Sequence, residues 1–382
     1  MGTFYHRKIM VTRRQLLRLA TAAPMIHLGR VRLFGDEYST RAIDLVKSST
    51  VIDMLSPLAL AGSKSRQWLM KPETFTAADF QHYRDSGIHA VNIALGLGGP
   101  DAFLNSLQFV AQWDGFLAHH SETMKRIDSA ADIDAARASG KLGVIVGLQN
   151  SEHFRKPDDV DLFYNLGQRV SQLTYNARNM IGNGSTERRD EGLSDFGVAI
   201  VERMNRVGMA VDVSHCGDRT TLDAFEVSKK TVLITHSNCR AITGHVRCKT
   251  DEAIRKMAAQ AGVMGITGVR MFVKKDEPTT VEHVLDHYDH VRKLVGPEFL
   301  GVGSDIDLFG YDAMPANERA ALHANYKSTY AFRDKDDIEG LNHPRRMFTL
   351  TEGLIRRGYS DADIHGILGG NFRRVLPKIW TV

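Results

Sequence analysis

Beyond residue 36 the chain repeats one pattern: a short apolar run, a polar turn, then a segment with helical spacing. The apolar runs lie at 50–55, 89–96, 142–150, 169–176, 209–215, 231–237, 262–268 and 299–307, each too short for a helix and each containing Val or Ile. Between them, 101–120, 196–207, 218–230, 251–261 and 280–295 place their apolar residues on one helical face. Eight such units predict an α/β fold, a single-domain TIM (β/α)8 barrel over residues 36–382. An open doubly wound sheet would carry a glycine-rich phosphate loop after its first strand, and "IDMLSPLAL" (52–60) has none. No internal repeat or low-complexity tract interrupts the alternation.

In a barrel of this kind the C-terminal strand ends carry the chemistry. Here many runs finish on polar residues: Gln149, Asn150, Tyr175, Asn176, His215, His236 and Asp305. His215 ends "GMAVDVSH" (208–215) and His236 falls near the end of "TVLITHS" (231–237), with the helix-like 218–230 between them. A strand, crossover helix and parallel strand put both imidazoles at the same end of neighbouring strands, about 4.8 Å apart. Two such rings can share one divalent ion such as zinc. Asp305, in "GVGSDID" (301–307), is placed to orient or deprotonate an attacking water. Asp307 shares its face but lies further out, as a structural, turn-capping residue. Arg247 sits in a loop ahead of a helix that Thr250 or Asp251 caps. It either holds a substrate carboxylate as a bidentate pair or makes a surface salt bridge, and spacing alone does not decide.

Composition narrows the classes. With 43% hydrophobic and 25% charged residues in 382, the chain has apolar mass for a large core. The net charge of +4 forms no basic stripe, which argues against a nucleic-acid partner. No apolar segment reaches the roughly 18 residues of a transmembrane span. Cys216, Cys239 and Cys248 are too few for a disulfide framework and read as small buried residues packed behind the site. "TRRQLLRLATAAP" (12–24) has Arg13 and Arg14 ahead of Leu16 and Leu17, followed by an Ala-rich run. It resembles a twin-arginine export signal, so residues 1–35 are expected to be signal and linker and the protein to reach the bacterial periplasm. A basic amphipathic helix on a cytoplasmic protein is the alternative.

Four strings occur in order: "GLSDFGVAIVERMNRVGMAVDVSH" (192–215), "THSNCRAITGHVR" (235–247), "GVGSDID" (301–307) and "ILGGNFRRVL" (367–376). They resemble the membrane (renal-type) dipeptidase family, peptidase family M19 of the amidohydrolase superfamily, from about residue 45 to the C-terminus. The resemblance implies a TIM barrel with a two-zinc site that hydrolyses dipeptides and, in some members, β-lactams. It makes His215 and His236 zinc ligands on strands five and six, and Asp305 the residue handling water or proton transfer. Arg247 becomes the arginine that binds the substrate carboxylate.

The chain also departs from that pattern. Leu55 and Pro57 stand where the family's first strand has a histidine–x–aspartate pair. Gln149 replaces the glutamate that bridges both metals, and Tyr175 replaces a histidine after the fourth strand. A glutamine offers one neutral oxygen in place of a bridging carboxylate, so one of the two metals loses its protein ligands. The expectation is one divalent metal per chain, zinc, on His215, His236 and Gln149, with Asp305 as base. Arg247, Tyr175 and Asn176 then bind a small substrate, a dipeptide or other amide with a free carboxylate. Glu152 and His153, just past the third strand, either reach the metal as compensating ligands or serve local loop hydrogen bonds. A non-catalytic barrel that binds a small carboxylate, and a non-peptidase amidohydrolase such as a deacylase, stay open as readings. Oligomeric state, a homodimer included, is not set by the sequence.

Overall fold

The computed structural model describes residues 38–60 and 64–381, within one compact unit spanning Tyr38–Val382. The twin-arginine-like segment lies outside the described residues. The strands are β1 (Ile52–Asp53), β2 (Ala90–Ile93), β3 (Met124–Arg126), β4 (Leu142–Leu148), β5 (Gln168–Gln172), β6 (Ala210–Asp212), β7 (Ile234–Ser237), β8 (Met264–Ile266) and β9 (Leu300–Val302). Hydrogen bonding runs in the order β6-β5-β4-β2-β1-β9-β8-β7, all parallel. A parallel bridge from Asp212 to Leu233 joins β6 to the residues leading into β7 and closes the ring. This is the TIM barrel that the eight apolar runs predict, one strand from each run. No described helix is long and apolar enough to cross a membrane.

β3 is the element the apolar pattern misses. Its residues Met124–Arg126 pair with Leu142–Val144 of β4, while β5 pairs with β4 only from Val146 onward. A short, half-polar strand thus fills the flank of β4 that β5 leaves open. The apolar runs also outlast the ladder: β6 ends at Asp212, three residues short of His215, while His236 lies within β7. The chain leaves the sheet as it enters the C-terminal face.

Helix boundaries follow local chemistry. Asp195–Val207 begins at Ser194, whose hydroxyl accepts the Gly197 amide at 3.0 Å, and stops at Gly208 in the left-handed region (φ +84°). Thr250 caps Asp251–Ala259 through the Ala253 amide at 3.2 Å, the first of the two caps offered by the sequence. The C-terminal helix Asn371–Ile379 packs Phe372, Val375, Leu376 and Ile379 into one cluster with Ile52, Ala90, Ile145, Val170, Ala210 and Leu233. A Cβ on Gly301 would stand 2.3 Å from the Phe372 ring, so only glycine lets that ring approach β9. Apolar packing therefore fills the barrel at this end, and polar side chains gather at the other.

Candidate metal centre

His215 and His236 meet at the C-terminal face with their Nε2 atoms 3.0 Å apart. Their Nδ1 atoms decide what that contact is. His215 Nδ1 lies 2.7 Å from Asn176 Oδ1, an acceptor. His236 Nδ1 lies 2.8 Å from the Thr235 hydroxyl, which gives its own proton to Asp212 Oδ2 at 2.6 Å and so must accept from the ring. Both rings therefore carry their proton on Nδ1. Burial, then the Arg247 guanidinium, holds both imidazoles well below their usual pKa, so both are neutral. Two bare Nε2 lone pairs face one another at contact distance, the arrangement that an electrophile between them satisfies.

Asp212 anchors this relay. It accepts the Ser214 amide and hydroxyl (3.0 and 2.5 Å) and the Thr235 amide and hydroxyl (3.1 and 2.6 Å), which oppose the upward push of burial on its carboxyl. Asp212 and Thr235, which hold the His236 ring from behind, are not among the polar residues singled out at the strand ends. Their signal was present: an aspartate and a threonine sit beside the two histidines in "DVSH" and "THS". Asn176, expected to touch substrate, also holds the His215 ring through that 2.7 Å contact.

Arg247 is not the surface salt bridge that its loop position allowed. It is 1% exposed and has no ion-pair partner among the described residues. Nη1 donates to the Ser214 carbonyl and Nη2 to the His236 carbonyl at 3.1 Å, so the guanidinium braces the backbone beneath both imidazoles. Its Nε is buried without a hydrogen-bond partner among the described residues. Lys249, also buried, donates to the Cys216 carbonyl (2.8 Å) and Thr221 hydroxyl (2.9 Å), and burial pushes it down to about 8. Cys216, Cys239 and Cys248 are free and buried, as small packing residues.

Asp305 has φ +56°, a left-handed conformation that aspartate tolerates better than most residues. Its amide donates to the Leu55 carbonyl at 2.7 Å, and its carbonyl accepts the Tyr311 hydroxyl at 2.8 Å. Its carboxylate accepts no hydrogen bond among the described residues. Burial pushes it up to about 7, with Arg247 pulling the other way. Asp307 accepts the Phe309 amide at 2.9 Å, the expected turn cap.

Gln149 spends its amide nitrogen on the Ala94 carbonyl at 3.2 Å. No hydrogen bond joins it to either histidine among the described residues, and its Oε1 accepts none. Tyr175 stacks on His215 (4.3 Å between centroids, 22°). His153 is not a metal ligand: Nδ1 faces the Asn150 carbonyl (3.0 Å), Nε2 faces Gln168 Oε1 (3.1 Å), and the ring packs on Phe154 and Phe163. Glu152 takes a hydrogen bond from Asn150 Nδ2 at 3.1 Å. Both follow the local-loop alternative. Among the described residues no group of three His, Cys, Asp or Glu side chains is placed to hold a metal. Two oriented imidazoles fit one ion; Leu55, Pro57 and Gln149 give a second ion no anionic ligand.

The chain matches the membrane dipeptidase family, peptidase family M19, over residues 40–318 and 332–382. It belongs to that family. Among curated relatives, dipeptidase tcpJ of Claviceps purpurea is 28% identical over 267 residues, 69% of this chain and 57% of that protein. The uncharacterized dipeptidase C965.12 of Schizosaccharomyces pombe is 32% identical over 271 residues, 68% of this chain and 58% of that one. The chain thus spans somewhat more than half the length of these family members. An amidohydrolase from Pseudomonas aeruginosa superposes with a TM-score of 0.76 at 28% identity, covering 89% of this chain and 99% of that one. The probable dipeptidase PvdM from Pseudomonas aeruginosa, at 17% identity and a TM-score of 0.72, shares the fold.

Proposed function

We propose that the protein is a metal-dependent hydrolase of dipeptides or similar small amides that works with one divalent ion, zinc, per chain. The observation that carries this is the pair of Nε2 lone pairs 3.0 Å apart, each aimed by a hydrogen bond on the far side of its ring. His215 and His236 would hold the ion, with Gln149 Oε1 as the neutral oxygen within the ligand set. Bound there, a divalent ion supplies Lewis-acid polarisation of the scissile carbonyl.

The remaining work falls to the chain's own side chains. Asp305, with a free carboxylate near neutrality, takes the proton of the attacking water at its Oδ atoms and returns it to the leaving amine. Arg247 Nε, buried and unpartnered, donates to the substrate carboxylate while its Nη atoms stay on the backbone. Two buried cations, Arg247 and Lys249, have no carboxylate in ion-pair contact among the described residues, which favours an anionic group on the ligand. We further propose export to the periplasm through the segment at 12–24, which a processed N-terminus read by mass spectrometry tests.

The deciding measurement is metal content of protein purified without chelator, together with hydrolysis of a dipeptide panel with added zinc, cobalt or manganese. About one equivalent of metal and metal-dependent cleavage are expected, both lost in His215→Ala. Less than about a tenth of an equivalent, or unchanged activity in His215→Ala, overturns the assignment.

A further inference from the structure

A cavity of about 170 Å³ lies at the N-terminal end of the barrel, the end away from the histidine pair. It sits where helices Ala77–Ser86 and Ala130–Ala138 finish and the chain turns into β2 and β4. Arg84, His89, Arg137 and Lys141 line it, above an apolar floor of buried Phe80 and Leu142. No carboxylate is among its lining residues.

Cations often gather at helix C-termini to offset the helix dipole. Here the last carbonyls already have other donors. Tyr83 carbonyl accepts the Ser86 hydroxyl at 2.6 Å, and that of Arg84 accepts the Gly87 amide at 3.4 Å. The Ala136 and Arg137 carbonyls accept the amides of Lys141 (2.9 Å) and Gly140 (3.1 Å).

The side chains around the cavity keep protons to donate. Arg84 has no hydrogen bond or ion pair among the described residues. Arg137 donates Nη1 to the Thr50 hydroxyl at 3.2 Å and Nη2 to the carbonyls of Lys47 (3.1 Å) and Ser48 (2.7 Å), which leaves its Nε–H. Lys141 gives one ammonium proton to the Ser121 carbonyl at 2.6 Å and retains two. His89 Nδ1 accepts the Val51 amide at 3.1 Å, so its proton is on Nε2, which has no partner among the described residues. The acids nearby in sequence do not pair with these cations: Asp85 accepts Gln81 Nε2 at 2.7 Å, and Asp134 pairs with Arg373 at 2.6 Å.

We propose that this cavity binds a small, doubly charged oxyanion of the phosphate class, at a site separate from the metal centre. Three cations that share a concave wall without a carboxylate repel one another, and an anion among them removes that cost while accepting the spare protons. The bound ion would join the end of helix Ala77–Ser86, through Arg84, to the end of helix Thr40–Ser48, through Arg137. It therefore acts as a clip at the base of the barrel, and it does not depend on the hydrolase reading above.

The test is calorimetry with inorganic phosphate on the full chain, dialysed free of phosphate and held at constant ionic strength so that screening does not imitate binding. A Kd of about 0.1 mM or tighter is expected, together with a higher Tm. Arg84→Gln combined with Lys141→Gln should weaken binding at least about tenfold and leave the fold intact by circular dichroism; Arg137 stays, because it also holds the Lys47 and Ser48 carbonyls. His89 is the local reporter: burial and Arg137 hold its imidazole down to about 4, and phosphate beside Arg137 should raise it, followed by NMR. Glycerol 3-phosphate is titrated in parallel; tighter binding of inorganic phosphate supports a free ion as the occupant, tighter binding of glycerol 3-phosphate supports a headgroup, and either supports the site. No binding at about 10 mM phosphate overturns the proposal. Binding that the double variant leaves unchanged, or that does not move His89, places the ion elsewhere and overturns it equally.

Discussion

The Thr235 hydroxyl stands 2.8 Å from Nδ1 of His236, its neighbour in the chain, and hands its own proton to Asp212 at 2.6 Å. A side chain that touches no ligand thereby fixes which nitrogen of His236 is free. Thr235→Val keeps the shape of the side chain but removes the acceptor, so the ring loses its tautomer preference. Metal affinity should fall roughly 10- to 100-fold, the usual cost of losing such a partner, with the fold retained. Titration with zinc or cobalt followed by calorimetry reads this directly. An unchanged affinity would mean that Thr235 does not set the tautomer.

A second relay holds the opposite side of the barrel mouth. Asp53 Oδ2 and Arg346 Nη2 lie 3.4 Å apart, both buried, and Arg346 also donates to the carbonyls of Ile306 and Asp307. It clamps β1 to the loop after β9 that carries Asp305. Arg346→Met leaves the Asp53 charge buried and unpaired, and should destabilise the protein by about 3–5 kcal/mol in urea unfolding. The double variant Arg346→Met/Asp53→Leu should recover much of that loss, because no buried charge is then orphaned. If the double variant is no more stable than the single one, the arginine's backbone hydrogen bonds, not its charge, hold the clamp.

The barrel was legible because most strands fall within short apolar runs and helices show their face in the spacing, as 281–294 and 195–207 do. β3 was not, because "MKR" has neither an apolar run nor alternation; it pairs only because β5 leaves that flank of β4 open. The histidine pair could be read from two similar run endings. What could not be read is direction. Spacing gives no sign that Asn176 turns toward His215, that Gln149 gives its amide to Ala94, or that the arginine loop folds Arg247 under both imidazoles. These depend on where strand ends splay once the ladder stops. Tyr326 was missed for a similar reason: it lies in a polar stretch, and only tertiary packing brings its hydroxyl to that of Tyr175.

Two buried histidines away from the metal centre set an acid limit. Burial pushes His153 and His287 down to about 4, against the upward pull of their hydrogen bonds to Asn150 and Gln168, and to Val273. Asp159 near His153 and Asp286 near His287 also pull upward, while His283 and His290 push His287 down. The unfolded chain binds these protons from an ordinary pKa of 6.5, so between pH 6.5 and about 4 the unfolded state holds more protons. Stability is therefore complete above 6.5 and is lost as pH falls toward 4, by up to about 3 kcal/mol for each site. Urea midpoints across this range should decline steadily. His287→Gln, with nothing there to titrate, should show a shallower decline; an equal slope would remove His287 from the account.

Gln149 offers the sharpest test of the one-metal site. The family resemblance puts a glutamate at this position, so Gln149→Glu returns an anionic oxygen beside two neutral imidazoles and two buried cations. Metal affinity should rise about tenfold or more, equivalent to about 1.4 kcal/mol, because a charged oxygen binds a dication better than an amide oxygen. Stoichiometry should nevertheless stay at one, since Leu55 and Pro57 still provide no ligand on the first strand. Adding Leu55→His and Pro57→Asp to Gln149→Glu should carry the count toward two, measured as metal per chain after dialysis. Two metals bound by the single Gln149→Glu variant would show that Leu55 and Pro57 do not limit the site. No gain in affinity would show that residue 149 lies outside the metal's reach.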